Sequence, residues 1–289
     1  MFDAVCPVCD SEMQNRRTSW RYRCPSCGFE RSNFVPNVRG ETERPVSYDA
    51  DKHERGHERM RRRIYERILD ILATITPLPG KTILDVGCSY GWFPEAARNR
   101  GMDALGIEPD YRSAEIAEKA GNKVIAGYFP DDLPDDRRFD VIIFNDVFEH
   151  LPDVRTSLAL CRARLNPGGL LVLNLPSRKG SLYQTASVLD RIGVSPPLDR
   201  LWLKNFPSPH LSYFCPETLA RLLTREAFVE AARKRLPIME HRNLWTRIRV
   251  DASASLPYTA AVWLALTVAL PLLTLLPSDI ALQIFRKSD

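Results

Sequence analysis

The stretch Thr82-Ile-Leu-Asp-Val-Gly-Cys-Ser-Tyr-Gly-Trp-Phe93 decides the fold of this 289-residue chain. Ile83, Leu84 and Val86 read as a short buried strand, and Gly87 and Gly91 let the backbone turn tightly and approach a ligand closely. Pro94-Glu-Ala-Ala97 then starts a helix whose N-terminal amides face the same place. Strand, glycine turn and helix together make a ligand cradle.

Downstream of the cradle the pattern alternates. A helix from about Pro94 to Asn99 ends at Gly101, and a strand runs through Ala104-Leu-Gly-Ile-Glu108. A second helix spans about Tyr111 to Ala120, followed by strands at Lys123 to Ala126 and at Phe139-Asp-Val-Ile-Ile-Phe-Asn145. Val154, Leu158, Cys161 and Leu165 mark one helix face, closed by Asn166-Pro-Gly-Gly169 before the strand Leu170 to Asn174. Apolar strands alternating with helices predict a parallel sheet covered on both faces. Ligands of such sheets sit beyond the carboxyl ends of the strands, where Gly87, Glu108, Asn145 and Asp146 fall.

Upstream, Cys6-Pro-Val-Cys9 and Cys24-Pro-Ser-Cys27 enclose fourteen residues. Two such knuckles suit tetrahedral zinc, because each short turn aims two thiolates at one ion and a hairpin returns the second pair. A redox pair or two disulfides is the competing reading. Four thiolates would close the coordination shell, so the expected ion is structural, and its binding would supply the folding energy of a segment with so small a core. The remaining cysteines, Cys88, Cys161 and Cys215, read as buried fillers. Residues 1–34 are thus expected to form a zinc ribbon. Residues 35–80 hold a proline-containing linker and a basic helix with Ile64, Ile68, Leu72 and Ile75 on one face. A core domain spans 81–250, with an irregular lid at 176–210, and residues 251–289 carry an apolar segment and the final strand.

Composition bounds what this assembly can do. At 44% hydrophobic and 26% charged residues it is ordinary for a globular protein, with no low-complexity tract or long repeat. The net charge of +4 is modest but uneven: Lys52 to Arg67 holds seven Lys/Arg against three Glu, and Arg233 to Arg249 six against one. Either cluster reads as a solvated face or as a surface for an anionic partner. Met1-Phe-Asp-Ala-Val-Cys6 has no charged region leading into an apolar run, which predicts a cytosolic protein.

Four elements in order carry a resemblance: Leu84-Asp-Val-Gly-Cys-Ser-Tyr-Gly91, the acidic strand end Gly106-Ile-Glu-Pro-Asp110, Phe139 through Glu149-His150, and Leu165-Asn-Pro-Gly-Gly169. Over Lys81 to Leu175 the chain resembles class I S-adenosylmethionine-dependent methyltransferases. The resemblance implies an α/β fold with a Rossmann-like seven-stranded sheet, here with a small N-terminal zinc ribbon and an apolar helical insertion before the last strand. Ser89 departs from the family pattern, standing where many relatives have the middle glycine of the loop. Carried over residue by residue, the resemblance puts Gly87, Cys88, Ser89 and Gly91 beside the methionyl part of S-adenosylmethionine, with Asp85 orienting the loop or the amino group. Glu108, followed by Pro109, would accept hydrogen bonds from the ribose hydroxyls. Tyr128 and Asp131 are candidates for the adenine, and Asn145 and Asp146 close the cofactor side.

On the acceptor side, Glu149 and His150 either hold the loop by hydrogen bonds or act chemically. Asp146, Glu149 and His150 reproduce a spacing that resembles a divalent metal site of ubiquinone-pathway O-methyltransferases. His150 is alternatively a general base titrating near neutral pH. The element His210-Leu-Ser-Tyr-Phe214 resembles methyltransferases of lipid-linked, quinone or glycan acceptors, which makes His210 a second acceptor-side candidate or a lid anchor. Ala252 to Ser278 is a 27-residue stretch without a charge, long enough for a bilayer. The flanking stretches Phe228 to Arg235 and Ile280 to Phe285 look like the last two strands of that fold, which pair, so it must return to its starting side, as a re-entrant hairpin bent near Pro271 or an interfacial helix with cationic flanks at Arg242, Arg247, Arg249, Arg286 and Lys287. A helical pair packed on the domain or in a dimer interface is the alternative. Three functions follow: a methyltransferase of a lipid, quinone or lipid-linked glycan at the inner face of the membrane, a ribosomal RNA base methyltransferase, or a cofactor-binding scaffold.

Overall fold

A computed structural model describes residues 5–37, 50–236, 245, 256–273 and 276–288. Expectations for the linker at 38–49, for Arg242, Arg247 and Arg249, and for residues 252–255 and 274–275 lie outside the described residues.

The centre is a seven-stranded sheet. Its parallel part holds β4 (Thr82–Val86), β5 (Asp103–Glu108), β6 (Val124–Ala126), β7 (Phe139–Asn145) and β8 (Leu165–Pro176). Two last strands, β10 (Phe228–Leu236) and β11 (Ile280–Lys287), add an antiparallel edge, with β11 inserted between β10 and β8. The resulting order is β10-β11-β8-β7-β4-β5-β6. The expected pairing of the last two strands is therefore present. β8 begins at Leu165, so Asn166-Pro-Gly-Gly169 belongs to the strand rather than to a preceding helix cap.

Alternation along each strand feeds two cores. Ile83, Val141, Ile143 and Val172 point to one face, where helix α1 (Ala50–Ala73) packs Ile64, Ile68 and Leu72 beside Phe93 of α2 (Trp92–Asn99). Leu84, Ile142, Phe144 and Leu173 point to the other, against Leu158 and Cys161 of α4 (Val154–Arg164) and Leu219 and Leu222 of α7 (Pro216–Arg225). Helix α3 (Tyr111–Lys119) joins β5 to β6. Ion pairs tie α1 to its neighbours: Arg62 pairs with Glu58 at 2.8 Å and Glu95 at 2.9 Å, and Glu66 and Asp70 hold Arg100 at 2.6 and 2.8 Å.

The N-terminal hairpins, with β1 (Gln14–Asn15), β2 (Arg21–Arg23) and β3 (Glu30–Ser32), do not stand apart. Strand β9 (Ser212–Tyr213) joins their sheet in the order β1-β2-β3-β9, with Glu30 opposite Tyr213. Phe29 meets Phe214 at 4.8 Å, and Cys6, Val8 and Cys24 are continuous with the core under the main sheet. The expected irregular lid is corrected. Residues 176–210 contain two helices, α5 (Ser181–Arg191) and α6 (Pro196–Leu201), and a small core of Trp20, Tyr183, Leu198, Trp202 and Tyr213 staples them to the hairpins. Prolines 196 and 197 open α6, a position that spares them a helical N–H bond.

Candidate functional site

The cradle forms at the carboxyl end of β4. Gly87 and Gly91 sit at φ +74° and +77°, and Ser89 between them is also left-handed at φ 47°. A serine in that region costs about 1 kcal/mol or more over glycine, which the loop absorbs. Glu108 is buried and organises this loop: Ser89 N donates to Oε2 at 2.8 Å and Asp110 N to Oε1 at 2.9 Å. A carboxylate oxygen accepts more than one hydrogen bond, so an anchored Glu108 suits donors such as ribose hydroxyls. Gly106 shapes the floor: a Cβ there would lie 2.4 Å from Cys88 Sγ, which explains a glycine that no turn requires. Asp85 is buried beneath the loop, where desolvation raises its carboxyl well above the usual range and Asn145 Nδ2 approaches at 3.5 Å.

Asn145 ends β7 opposite Asn174 of β8, and the side-chain oxygen of each is buried without a hydrogen-bond partner. Asn174 escaped sequence reading; its place near the end of the strand next to Asn145 was the available signal. Pro109 is half-buried behind Glu108. Tyr128 is half-buried, its N–H held by Asp132 at 2.8 Å, and Asp131 is exposed on the same loop. These donors and acceptors fit S-adenosylmethionine in the way the resemblance implies.

On the acceptor side the structure brings together a different set from the one expected. The ligand-capable atoms of Glu149, His150 and His210 lie within 4.8 Å of one another, and Asp146 is not among them. Asp146 is exposed at φ 54° and uses its N–H to hold Asn174 O at 2.8 Å. His210 takes its place because its segment is fastened on both sides. Leu211 N donates to Glu149 O at 2.8 Å, and Ser32 Oγ of the hairpin module donates to His210 O at 2.8 Å.

Glu149 is 1% exposed, and neither carboxylate oxygen has a hydrogen-bond partner. Burial, with Asp146 nearby, raises its carboxyl well above the usual range. Burial pushes His150 down to about 4 and His210 in the same direction. The expectation that His150 titrates near neutral pH is thus corrected: removal from water disfavours the imidazolium. His150 Nδ1 lies 2.8 Å from Pro209 O, and since a carbonyl only accepts, Nδ1 carries the proton. Nε2 is then the free base. A carboxyl group without a hydrogen-bond partner, with His210 Nε2 3.9 Å from its Oε1, and neutral imidazoles suit a proton-accepting pocket or a divalent ion.

The four cysteines converge as expected. Their sulfurs lie within 4.8 Å of one another, with Cys6 to Cys27 at 3.6 Å and Cys9 to Cys24 at 3.3 Å. Tetrahedral zinc with bonds of about 2.3 Å puts its sulfurs about 3.8 Å apart, so the donor set fits. Asp10, just after the first knuckle, is clamped by Arg155 of α4 at 2.7 Å and by Arg225 of α7.

A family model described as a methyltransferase domain matches residues 57–228. The ubiquinone biosynthesis O-methyltransferase of Pseudomonas paraeruginosa is 29% identical over 120 residues, 38% of this chain and 51% of that protein. The enzyme of the same name from Cereibacter sphaeroides is 31% identical over 123 residues, 40% of this chain and 50% of that protein. The chain spans about half the length of the curated relatives it matches. Among solved structures, magnesium protoporphyrin IX methyltransferase from Synechocystis with bound SAH superposes at a TM-score of 0.52 with 13% identity, covering 82% of this chain and 93% of that one. The cyclopropane synthase MmaA2 of Mycobacterium tuberculosis gives 0.51 with 18% identity, over 72% and 79%. At such identities these likenesses speak for the fold alone.

Proposed function

Because the chain belongs to the methyltransferase-domain family, we propose that it transfers the methyl group of S-adenosylmethionine to an oxygen of a lipid, quinone or lipid-linked glycan acceptor. The observation that carries the acceptor side of this reading is the cluster of buried Glu149 with half-buried His150 and His210. The relatives named ubiquinone biosynthesis O-methyltransferases support oxygen as the accepting atom.

The sulfonium cofactor supplies an already activated methyl group. The chain's own residues then need to bind, align and take one proton. Asp85, Gly87, Cys88, Ser89, Gly91 and Glu108 hold the cofactor, with Asn145 and Asn174 offering free acceptors on β7 and β8. With that methyl group supplied by the bound cofactor, His150 Nε2 would take the proton of the acceptor hydroxyl. Alignment supplies most of the acceleration, and proton removal contributes about 10²–10⁴-fold. Glu149, His150 and His210 would alternatively hold a divalent ion that polarises the hydroxyl, a reading favoured by the two Glu149 oxygens, which have no hydrogen-bond partner. Cys6, Cys9, Cys24 and Cys27 would hold a structural zinc.

Contact with the inner face of a membrane through the insertion belongs to the same proposal. Helix α8 (Leu256–Leu273) leaves Leu264 59% and Val268 69% exposed, and Trp245 meets Trp263 at 6.0 Å, amphipathic rings suited to a headgroup boundary. No helix among the described residues is long and apolar enough to cross a membrane, which agrees with a segment lying in the interface. The ribosomal RNA reading keeps the basic helix as its support, although Arg62 there is engaged by Glu58 and Glu95. The test is calorimetric titration with S-adenosylmethionine followed by transfer of labelled methyl into a membrane-lipid extract. No cofactor binding would overturn the enzyme reading and leave the scaffold, and label in RNA instead of lipid would overturn the acceptor class.

A further inference from the structure

An arginine-lined cavity of about 330 Å³ lies where the N-terminal hairpins meet α5. It belongs to neither the cradle nor the histidine cluster. Six arginines line it against two carboxylates, Glu30 and Asp190. Both carboxylates are already engaged. Asp190 takes Arg21 Nη2 at 2.7 Å and Ser195 Oγ at 2.9 Å, and Glu30 accepts from Tyr183 Oη at 2.5 Å. Arg17 is turned aside onto the backbone oxygens of Asp190 and Arg191 at 3.2 and 2.6 Å.

That leaves Arg16, Arg23, Arg178 and the exposed Arg191. Arg23 comes no nearer a carboxylate than 3.9 Å, at Glu30, and among the described residues Arg16 and Arg178 pair with none. Arg178 Nε is buried without a hydrogen-bond partner, as is Nε of Arg21, itself 6% exposed. The guanidinium ends of Arg178 and Arg23 meet over Gly28: a Cβ on that residue would lie 3.0 Å from Arg178 Nη2 and 3.6 Å from Arg23 Nη2. Gly28 sits at φ +78°, so the second metal knuckle both permits this turn and delivers Arg23 from its other side. Like charges converging on one spot repel, and buried N–H donors left without a partner are unfavourable. Nothing in the core requires them there.

We infer that this cavity binds a phosphate or pyrophosphate group, held by Arg23 and Arg178 with Arg16 at its mouth. Planar guanidinium forks match phosphate oxygens in pairs. The volume suits one such group rather than a length of polyanion. Arg178 and Gln184 also line a neighbouring cavity with Lys179, Arg233 and Lys234, which reaches Pro277 and Ser278 beyond the apolar helix. A headgroup phosphate on an amphiphile and a soluble phosphate ester therefore share the same recognition chemistry.

The test uses the full-length protein, with no cofactor added, so that its outcome is independent of methyl transfer. Calorimetric titration with inorganic pyrophosphate should show one saturable site tighter than about 1 mM. Arg178→Gln should weaken it at least tenfold and the exposed Arg16→Ala severalfold, each with an unchanged melting temperature, while Lys119→Ala binds as wild type. Vesicles of phosphatidic acid in phosphatidylcholine distinguish the sources. Loss of vesicle binding in Arg178→Gln marks a lipid headgroup, and unchanged vesicle binding alongside lost pyrophosphate binding marks a soluble ester; both support the site. Absence of saturable binding, equal affinity in Arg178→Gln and Arg16→Ala, or binding only to RNA with affinity that grows with its length would overturn it.

Discussion

Glu108 and His150 are single residues whose roles separate cleanly. Glu108 positions the loop through two backbone N–H groups at the end of β5. Charge-assisted hydrogen bonds contribute about 1.5–3 kcal/mol each, so Glu108→Ala should weaken S-adenosylmethionine binding about tenfold or more by calorimetry. Unchanged affinity would remove Glu108 from the cofactor site. His150→Ala should leave cofactor affinity intact and slow transfer by about 10²-fold or more. Its pH dependence follows from burial. With the imidazole pushed down to about 4, His150 is already a neutral base throughout the neutral range. The acid limb that it contributes to kcat/KM should therefore fall near pH 4, whereas an ordinary histidine would place it near about 6.5. A His150-dependent limb between pH 6 and 7 would contradict the buried setting.

Between strand and loop, packing decides more than pattern. Gly106 lies mid-strand in β5 at an ordinary φ, so its reason is spatial: Cys88 Sγ occupies the room a side chain would need. Overpacking of this kind costs about 1–3 kcal/mol. Gly106→Ala should lower stability by that amount in urea denaturation and displace the cradle, weakening cofactor binding too. Adding Cys88→Ala should restore part of both losses; if the double variant is no better than the single one, this contact is not the cause. At the sheet edge, β11 shows why the apolar insertion must return. It lies antiparallel between β10 and β8 from Ile280 opposite Pro176 to Arg286 opposite Leu170, which puts both ends of the insertion on one sheet.

At the scale of the molecule, the hairpin module builds the acceptor side. Strand β3 pairs with β9, Ser32 holds the backbone of His210, and Phe29 packs on Phe214. Stripping metal from the four cysteines should therefore abolish methyl transfer and shift the emission of Trp20 and Trp202 to the red, while binding of S-adenosylmethionine at the far edge of β4 and β5 persists. Retained transfer after verified metal removal would show that the histidines hold their places without the ribbon. The apolar helix yields a separate expectation: Leu264→Lys with Val268→Lys, both on exposed positions, should release the protein from anionic vesicles in flotation. Undiminished flotation would place the membrane contact elsewhere, and failure of the wild type to float would remove it.

Local chemistry in the chain by itself determined the α/β fold, the two cysteine knuckles and the cofactor cradle. Each rests on short-range signals, which are a period of two along buried strands, glycines at a turn and ligand spacing within one loop. The irregular lid, the Asp146 metal ligand and a near-neutral His150 did not survive, because each depends on residues far apart in sequence. Tertiary structure folded 176–210 onto Trp20, exchanged Asp146 for His210 some sixty positions later, and withdrew His150 from water. It alone also brought Arg23 and Arg178 together over Gly28. Proximity of distant side chains and the dielectric around them arise only when layers pack, and no sequence window contains both partners.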